Sequence, residues 1–120
     1  MVRNGDGGEI DLLAKHRQAL KLLVIELKKD RSGTDALGQV LGYMGWVKKQ
    51  YVAKGQDVSG LIITAMPETK LVSAVSRVPN VALWAYIRTQ DRVIFRRANT
   101  AEERELIQRE HILVEYPVTP

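Results

Sequence analysis

Residues 20–28 read Leu-Lys-Leu-Leu-Val-Ile-Glu-Leu-Lys, and together with Glu-Ile-Asp-Leu-Leu-Ala at residues 9–14 they decide how the chain folds. The second stretch alternates, which places Glu9, Asp11 and Leu13 on one strand face and Ile10, Leu12 and Ala14 on the other. The first is rich in branched residues, so it predicts a buried strand that ends in charge, with Leu22, Val24, Glu26 and Lys28 sharing a face. The polar segment Ala14 to Ala19 (AKHRQA) turns the chain between them, and the two strands form a β-hairpin. If the loop is centred between Gln18 and Ala19, the numbers of cross-strand partners add to 37, which pairs Asp11 with Glu26 and Glu9 with Lys28. A slip of two residues keeps the same faces and pairs Glu9 with Glu26 instead, so the charges stay together.

Outward from the hairpin, residues 1–8 (MVRNGDGG) predict a mobile lead-in or a tight turn. After DRSG, with Ser32 or Thr34 as N-cap, residues 35 to about 53 place Leu37, Val40, Leu41, Met44, Val47 and Tyr51 at helical spacing. Gly38, Gly42 and Gly45 each cost about 1 kcal/mol relative to alanine inside a helix, which suggests a close backbone approach there. A strand over residues 58–65 follows, then a short helix opened by Pro67 and ended by Pro79-Asn80, and strands over 81–89 and 92–98. Thr100 with Glu103 fits a capping box, so a last helix should run to about Glu110, with Glu105 and Arg109 paired. The tail 114–120 should be extended. Alternating strands and helices after a hairpin predict one α/β domain over residues 1–120, built on a sheet of mixed direction.

At 120 residues and 45% hydrophobic content, the chain can enclose one core and not two. Residues 1–99 carry 16 positive and 9 negative side chains, and residues 100–120 carry 2 and 5, so a basic body precedes an acidic end. A basic body suits a polyanion such as nucleic acid, and it also serves solubility alone. The absence of cysteine excludes disulfide scaffolds, thiolate zinc sites, iron–sulfur clusters and cysteine nucleophiles. No apolar run approaches the ~20 residues of a membrane helix, and Met1 to Glu9 lacks an apolar signal core, so a cytoplasmic soluble protein with no membrane partner is expected. GDGG precedes a strand instead of linking strand to helix, which argues against a phosphate cradle and a nucleotide cofactor.

Carboxylates on neighbouring strands, roughly 5 Å apart at Cβ, repel unless a cation or a proton lies between them. A hard divalent ion such as Mg²⁺ takes oxygen ligands and keeps several waters, so one or two carboxylates with a backbone carbonyl suffice to hold it. Such an ion polarises a phosphate oxygen and lowers the pKa of a bound water. A lysine beside it can orient the attacking water or balance the developing charge.

Asp11 followed by Glu26-Leu27-Lys28 has the form D-x14-E-x-K, which resembles the active-site signature of the PD-(D/E)XK nuclease superfamily, the restriction-endonuclease-like fold. The wider run GEIDLLA, LLVIELKKDRSG and GQVLGYMGW resembles the nuclease domain of NucS endonucleases, where GRIDLL, VIELK and Q-x-x-x-Y follow in the same order. The resemblance covers about Gly8 to Thr89. It implies Asp11 and Glu26 as metal ligands with the Leu27 carbonyl as a third, Mg²⁺ or Mn²⁺ as the ion, and Lys28 as the water-orienting or charge-balancing group. It also implies Gln39 as the helix residue contacting the site, with Tyr43 supporting it one turn on. Glu9 stands where relatives often carry a basic residue. Members of the superfamily usually begin with a helix and a further strand, which residues 1–8 do not supply, so a restriction-endonuclease-like fold lacking those elements is expected.

The resulting expectation is a metal-dependent deoxyribonuclease that hydrolyses DNA phosphodiesters, working as a homodimer because duplex cleavage needs two sites and the sheet edge is open. Two rival readings remain: a non-catalytic nucleic-acid-binding module of the same fold, and a resolvase-like nuclease for branched DNA. The bland alternative for Asp11, Glu26 and Lys28 is a solvated hairpin face with ordinary ion pairs, but Glu26 interrupts a run that should be buried. Lys29, Arg31, Lys48 and Lys49 are candidate phosphate contacts, as are Lys15, Arg17 and Arg96-Arg97 if they flank the acidic patch. Trp46 and Trp84 read as packing residues before stacking platforms. His16 and His111 read as solvated.

Overall fold

A computed structural model of the chain describes residues 2–3, 9–10, 12–15, 21–50 and 57–115, with side chains described at 22–29, 31–50 and 57–112. Short strands β1 (Val2–Arg3) and β2 (Glu9–Ile10) pair with each other, Val2 opposite Ile10 and Arg3 opposite Glu9. The expected lead-in thus contains a strand. The main sheet has the order β3 (Leu12–Lys15), β4 (Lys21–Ser32), β5 (Asp57–Pro67), β6 (Val81–Arg88), β7 (Val93–Arg97). The outer pairs β3–β4 and β6–β7 are antiparallel, whereas β4–β5 and β5–β6 are parallel, so the α/β sheet of mixed direction is as the sequence predicts.

The parallel steps are crossovers through α1 (Asp35–Gln50) and α2 (Thr69–Val75). Both steps move the same way across the sheet, and right-handed crossovers in one direction put their helices on one face. Alternation along the strands confirms it. Leu22 and Val24 of β4, Val58 and Ile62 of β5, Leu83 and Ala85 of β6 and Ala98 share one buried cluster with Val40 and Val47 of α1, Leu71, Val72 and Val75 of α2, and Ile107 of α3 (Ala101–Glu115). The intervening strand residues, including Leu23, Ile25, Ile63, Trp84 and Tyr86, are half-buried on the opposite face.

The close approach sits at Gly60 of β5, not in the helix. A Cβ there would meet Met44 Sδ at 2.6 Å and Val40 Cγ2 at 3.0 Å, so the missing side chain lets α1 settle on the sheet. Around Gly38, Gly42 and Gly45 a Cβ would meet nothing within 4 Å. These three lie on the exposed side of α1, which corrects the expectation of backbone contact there. Leu41, expected in the core stripe, is also exposed, since the packing stripe runs through Leu37, Val40, Met44 and Val47.

Element ends shift for identifiable reasons. Pro67 closes β5 instead of opening the helix, and α2 begins after Glu68. Asn80 takes a left-handed φ of 66°, a conformation asparagine tolerates, and starts β6 with its carbonyl accepting from the Gly60 amide at 2.7 Å. The capping box is present: the Glu103 amide donates to Thr100 Oγ1 at 3.1 Å, and Glu103 Oε1 accepts from the Thr100 amide at 3.1 Å and the Asn99 amide at 2.9 Å. Glu105 pairs with Arg109 at 2.9 Å as expected, but the helix runs on to Glu115. His111 therefore lies inside α3, half-buried, with Nε2 2.8 Å from the Ala65 carbonyl, and is not the solvated residue expected. Residues 51–53 and the tail from 116 lie outside the described residues.

Candidate active site

Over residues 12–15 the hairpin register is the one expected, whereas Glu9, expected opposite Lys28 or Glu26, pairs with Arg3 in a separate two-stranded sheet. Leu12 opposes Ile25, Leu13 opposes Val24, Ala14 opposes Leu23 and Lys15 opposes Leu22, and each pair of numbers adds to 37. Asp11 and His16 lie outside the described residues, and of Glu9 the structure describes the backbone, which is partnered by Arg3.

Glu26 follows Val24 on the helix-covered face of β4 and is 5% exposed, so an acid stands in the row where the preceding residues are core hydrophobics. Its direct neighbour on that face is Lys28, whose Nζ lies 3.3 Å from Glu26 Oε1. The Lys28 side chain is 27% exposed against 7% for Glu26, so the pair runs from the core outward to solvent. Leu27 between them points to the opposite face and is 47% exposed. On β5, Thr64 is the backbone partner of Lys28 and is fully buried, and its hydroxyl is 2.7 Å from that of Ser32. Ser32 is thus a β4 residue bonded across the sheet, not the N-cap of α1. Thr64 interrupts the apolar run of β5 much as Glu26 interrupts that of β4, and that is the signal by which the sequence could have marked it.

Between Lys28 and Arg31 the β4–β5 ladder skips: Lys28 partners Thr64 and Arg31 partners Met66, so β4 carries one extra residue. Bulges bend a strand and re-aim its side chains, and they recur beside active sites. Here the bulge borders a cleft of about 210 Å³ lined by Lys28, Lys29, Arg31, Ser32 and Asp35. It opens at the carboxyl end of the parallel strands, where the first residue of α1 faces the end of β4. Open α/β sheets place ligands at this edge. Arg31 is held loosely, with Nε 4.0 Å from Glu68 Oε1.

The cleft thus gathers Lys28, Lys29 and Arg31, and Lys28 connects it to Glu26, which is not among its walls. Gln39 is exposed on α1 and is not among the walls of this cleft, and Tyr43 packs its side chain against the core. Lys48 and Lys49 are exposed in the last turn of α1, about 20 Å along the helix axis from Asp35 at the cleft. Trp46 packs against the core as expected, and Trp84 is half-buried on the sheet face opposite the helices.

Among the described residues no three or more His, Asp or Glu side chains converge as a metal cluster. The donors at hand are the Glu26 carboxylate, carbonyls of the bulged strand and the carboxylate of Asp35 at the cleft wall. One or two carboxylates with carbonyls and waters fit a hard divalent ion such as Mg²⁺, and they do not fit a soft or tetrahedral one. Among the described residues no helix is long and apolar enough to cross a membrane. Neither a protein-family model, a curated protein nor a solved structure matches the chain.

Proposed function

We propose that the chain is a divalent-metal-dependent nuclease of restriction-endonuclease-like fold that hydrolyses DNA phosphodiester bonds. The observation that carries the reading is the buried Glu26 carboxylate in the middle of β4 with the Lys28 ammonium 3.3 Å away, Lys28 itself standing on the wall of a basic cleft. Burying an acid costs stability unless it is paired or coordinated, so a fold that retains one at the rim of its core retains it for chemistry or for a specific contact. The hairpin register supports the pairing expected for Asp11 and Glu26, because residues 12–15 and 22–25 follow the same rule.

In this reading Asp11, Glu26 and the Leu27 carbonyl hold Mg²⁺ or Mn²⁺. The bound ion supplies Lewis acidity toward a phosphate oxygen and a lowered pKa for its water. Lys28 holds the attacking water in line or offsets the charge that grows on the phosphoryl oxygens, and its half-exposed position lets it reach a phosphate in the cleft. Lys29 and Arg31 bind the flanking phosphates. Two copies acting together would cut both strands of a duplex.

The same ion pair supports a second reading. Lys28 already neutralises Glu26 within the chain, which is what a non-catalytic nucleic-acid-binding module of this architecture would need.

Incubation with supercoiled plasmid, single-stranded circles and a four-way junction, each with Mg²⁺, Mn²⁺ or EDTA, separates the readings. Metal-dependent nicking that disappears in Glu26→Gln is the expected result. Cleavage that survives EDTA, or that Glu26→Gln leaves undiminished, rejects the nuclease. Binding with no cutting on any substrate leaves the module, and cutting confined to the junction identifies a resolvase-like enzyme.

A further inference from the structure

The face of the sheet opposite the helices carries a ladder of aromatic and cationic side chains on β6 and β7. Three cross-strand pairs follow one another on that face: Trp84 with Arg97, Tyr86 with Phe95, and Arg88 with Val93. Residues two apart on a strand repeat about every 6.8 Å, so β6 presents Trp84, Tyr86 and Arg88 in a row and β7 presents Arg97, Phe95 and Val93 beside them. Phe95 is 50% exposed and Val93 48%. Phe95 is the one phenylalanine of the chain, and it stands in solvent on an edge strand where a core hydrophobe has no reason to be. Tyr86 reaches along the face, because its hydroxyl donates to the Lys29 carbonyl at 2.8 Å, two strands away across β5, and its side chain stays partly exposed.

Charge selects the occupant. Arg88 and Arg97 on this ladder, and Arg92 at the adjoining turn, are exposed and enter no ion pair with another described residue. Around the β7 edge, a cleft of about 370 Å³ between β7 and α3 is walled by Trp84, Phe95, Arg96 and Arg97 with Glu103, Leu106, Ile107 and Glu110 of α3. Both acids are engaged elsewhere: Glu103 caps its helix, and Glu110 holds Arg96 at 3.0 Å on the helix-covered face. Arg88, Arg92 and Arg97 set against Asp91 and Glu103 leave a small positive excess beside exposed rings, which suits an anionic partner with flat rings.

We propose that this face binds single-stranded nucleic acid, with unpaired bases stacking on Phe95 and Tyr86 and phosphates meeting Arg88, Arg92 and Arg97. A duplex hides the faces of its bases and would meet the arginines alone, whereas an open strand satisfies rings and charges at once. The proposal deepens the nucleic-acid part of the function proposed above and rests on it for the class of partner, but not on its metal chemistry. Through the Tyr86–Lys29 bond the platform joins the bulge that borders the active-site cleft, so a strand lying on it would be led toward Lys28.

The test is fluorescence anisotropy in EDTA with labelled oligothymidylate, oligouridylate and a duplex of equal length. Phe95→Ala should weaken binding of an unpaired strand by roughly 5- to 150-fold, the range for losing one base–aromatic stack, while changing duplex affinity far less. Phe95→Trp should retain single-strand affinity. Equal loss on oligothymidylate and oligouridylate assigns the site to unpaired bases of either sugar, and loss on one alone assigns it to that polymer. Unchanged single-strand affinity in Phe95→Ala, with circular dichroism matching wild type, overturns the proposal. So does a Phe95→Ala variant that loses a dimer in sedimentation but not the oligonucleotide, since the face would then be a contact between copies. Because this binding assay contains no metal, binding through Phe95 together with no cutting in the Mg²⁺ and Mn²⁺ incubations above upholds the platform and rejects the nuclease, and cutting there with binding indifferent to Phe95 does the reverse.

Discussion

The Tyr86 hydroxyl donates to the Lys29 carbonyl at 2.8 Å, tying β6 to the bulged end of β4 across the intervening strand β5. The bulge takes Lys29 out of the regular ladder, so its carbonyl needs an acceptor role elsewhere, and Tyr86 provides the donor. Tyr86→Phe should cost about 0.5–1.5 kcal/mol in urea unfolding, at the lower end because the bond is exposed. Its sharper signature is local: amide exchange at Lys29–Arg31 should quicken more than exchange in β5. Uniform protection across the sheet in the variant would show that the bond does not hold the bulge.

Gly60 and the glycines of α1 should respond in opposite directions. Gly60→Ala puts a methyl against Met44 Sδ at 2.6 Å and Val40 Cγ2 at 3.0 Å. Met44 can swing away but Val40 is stiff at its branched Cβ, so the helix must lift, at a cost of about 1–3 kcal/mol. Gly38→Ala, Gly42→Ala and Gly45→Ala meet open space and remove backbone entropy from the unfolded chain, and each should stabilise by about 1 kcal/mol. Thermal melting of the four single variants decides it, and a stabilised Gly60→Ala would show that α1 is not seated on that strand.

Glu26 and Lys28 separate stability from activity. Replacing a buried charged pair by hydrophobic residues is often neutral or stabilising by about 1–4 kcal/mol, whereas removing one partner strands the other. Glu26→Leu with Lys28→Met should therefore melt at or above the wild-type temperature and cut no DNA. Lys28→Met alone should lose about 1–2 kcal/mol, discounted because Lys28 is partly solvated, and should slow metal-dependent cleavage by on the order of 10² or more. A double variant markedly less stable than either single one would mean that the pair is structural.

How far the sequence foretold these features depends on how local each signal is. The hairpin register, the alternation that put Glu26 in a buried row and the Thr100–Glu103 box are written in spacings of a few residues, and the structure repeats them. The glycines of α1 misled because helix propensity reports a cost without naming the neighbour, and the residue that needs to be glycine, Gly60, lies on the opposing strand. Ser32 could cap a helix or bond across a sheet. Only the pairing of β4 with β5 chooses between those roles, by bringing in Thr64 from 32 positions away. His111 reads as solvated for the same reason: the Ala65 carbonyl that it meets is brought to it by tertiary packing, which no short window contains.

The basic residues divide into two groups by distance, and that division is measurable. Lys29 and Arg31 line the cleft beside Lys28, while Lys48 and Lys49 end α1 about 20 Å away along its axis. At 3.4 Å per base pair that separation spans roughly six base pairs, so a long duplex can touch both groups and a very short one cannot. If the chain binds DNA as proposed, removing Lys29 and Arg31 together should lower the slope of log K against log salt by about 1.8 on duplexes of any length, the effect of two phosphate contacts. Removing Lys48 and Lys49 should lower it by a similar amount only on duplexes longer than the span, and should leave the rate of cutting at saturation unchanged. Titrations of both double variants against a series of duplex lengths check this. If Lys48→Ala with Lys49→Ala changes neither slope nor affinity at any length, the end of α1 is a solvated surface whose lysines serve the helix dipole alone, and the nucleic-acid path is confined to the strand side of the cleft.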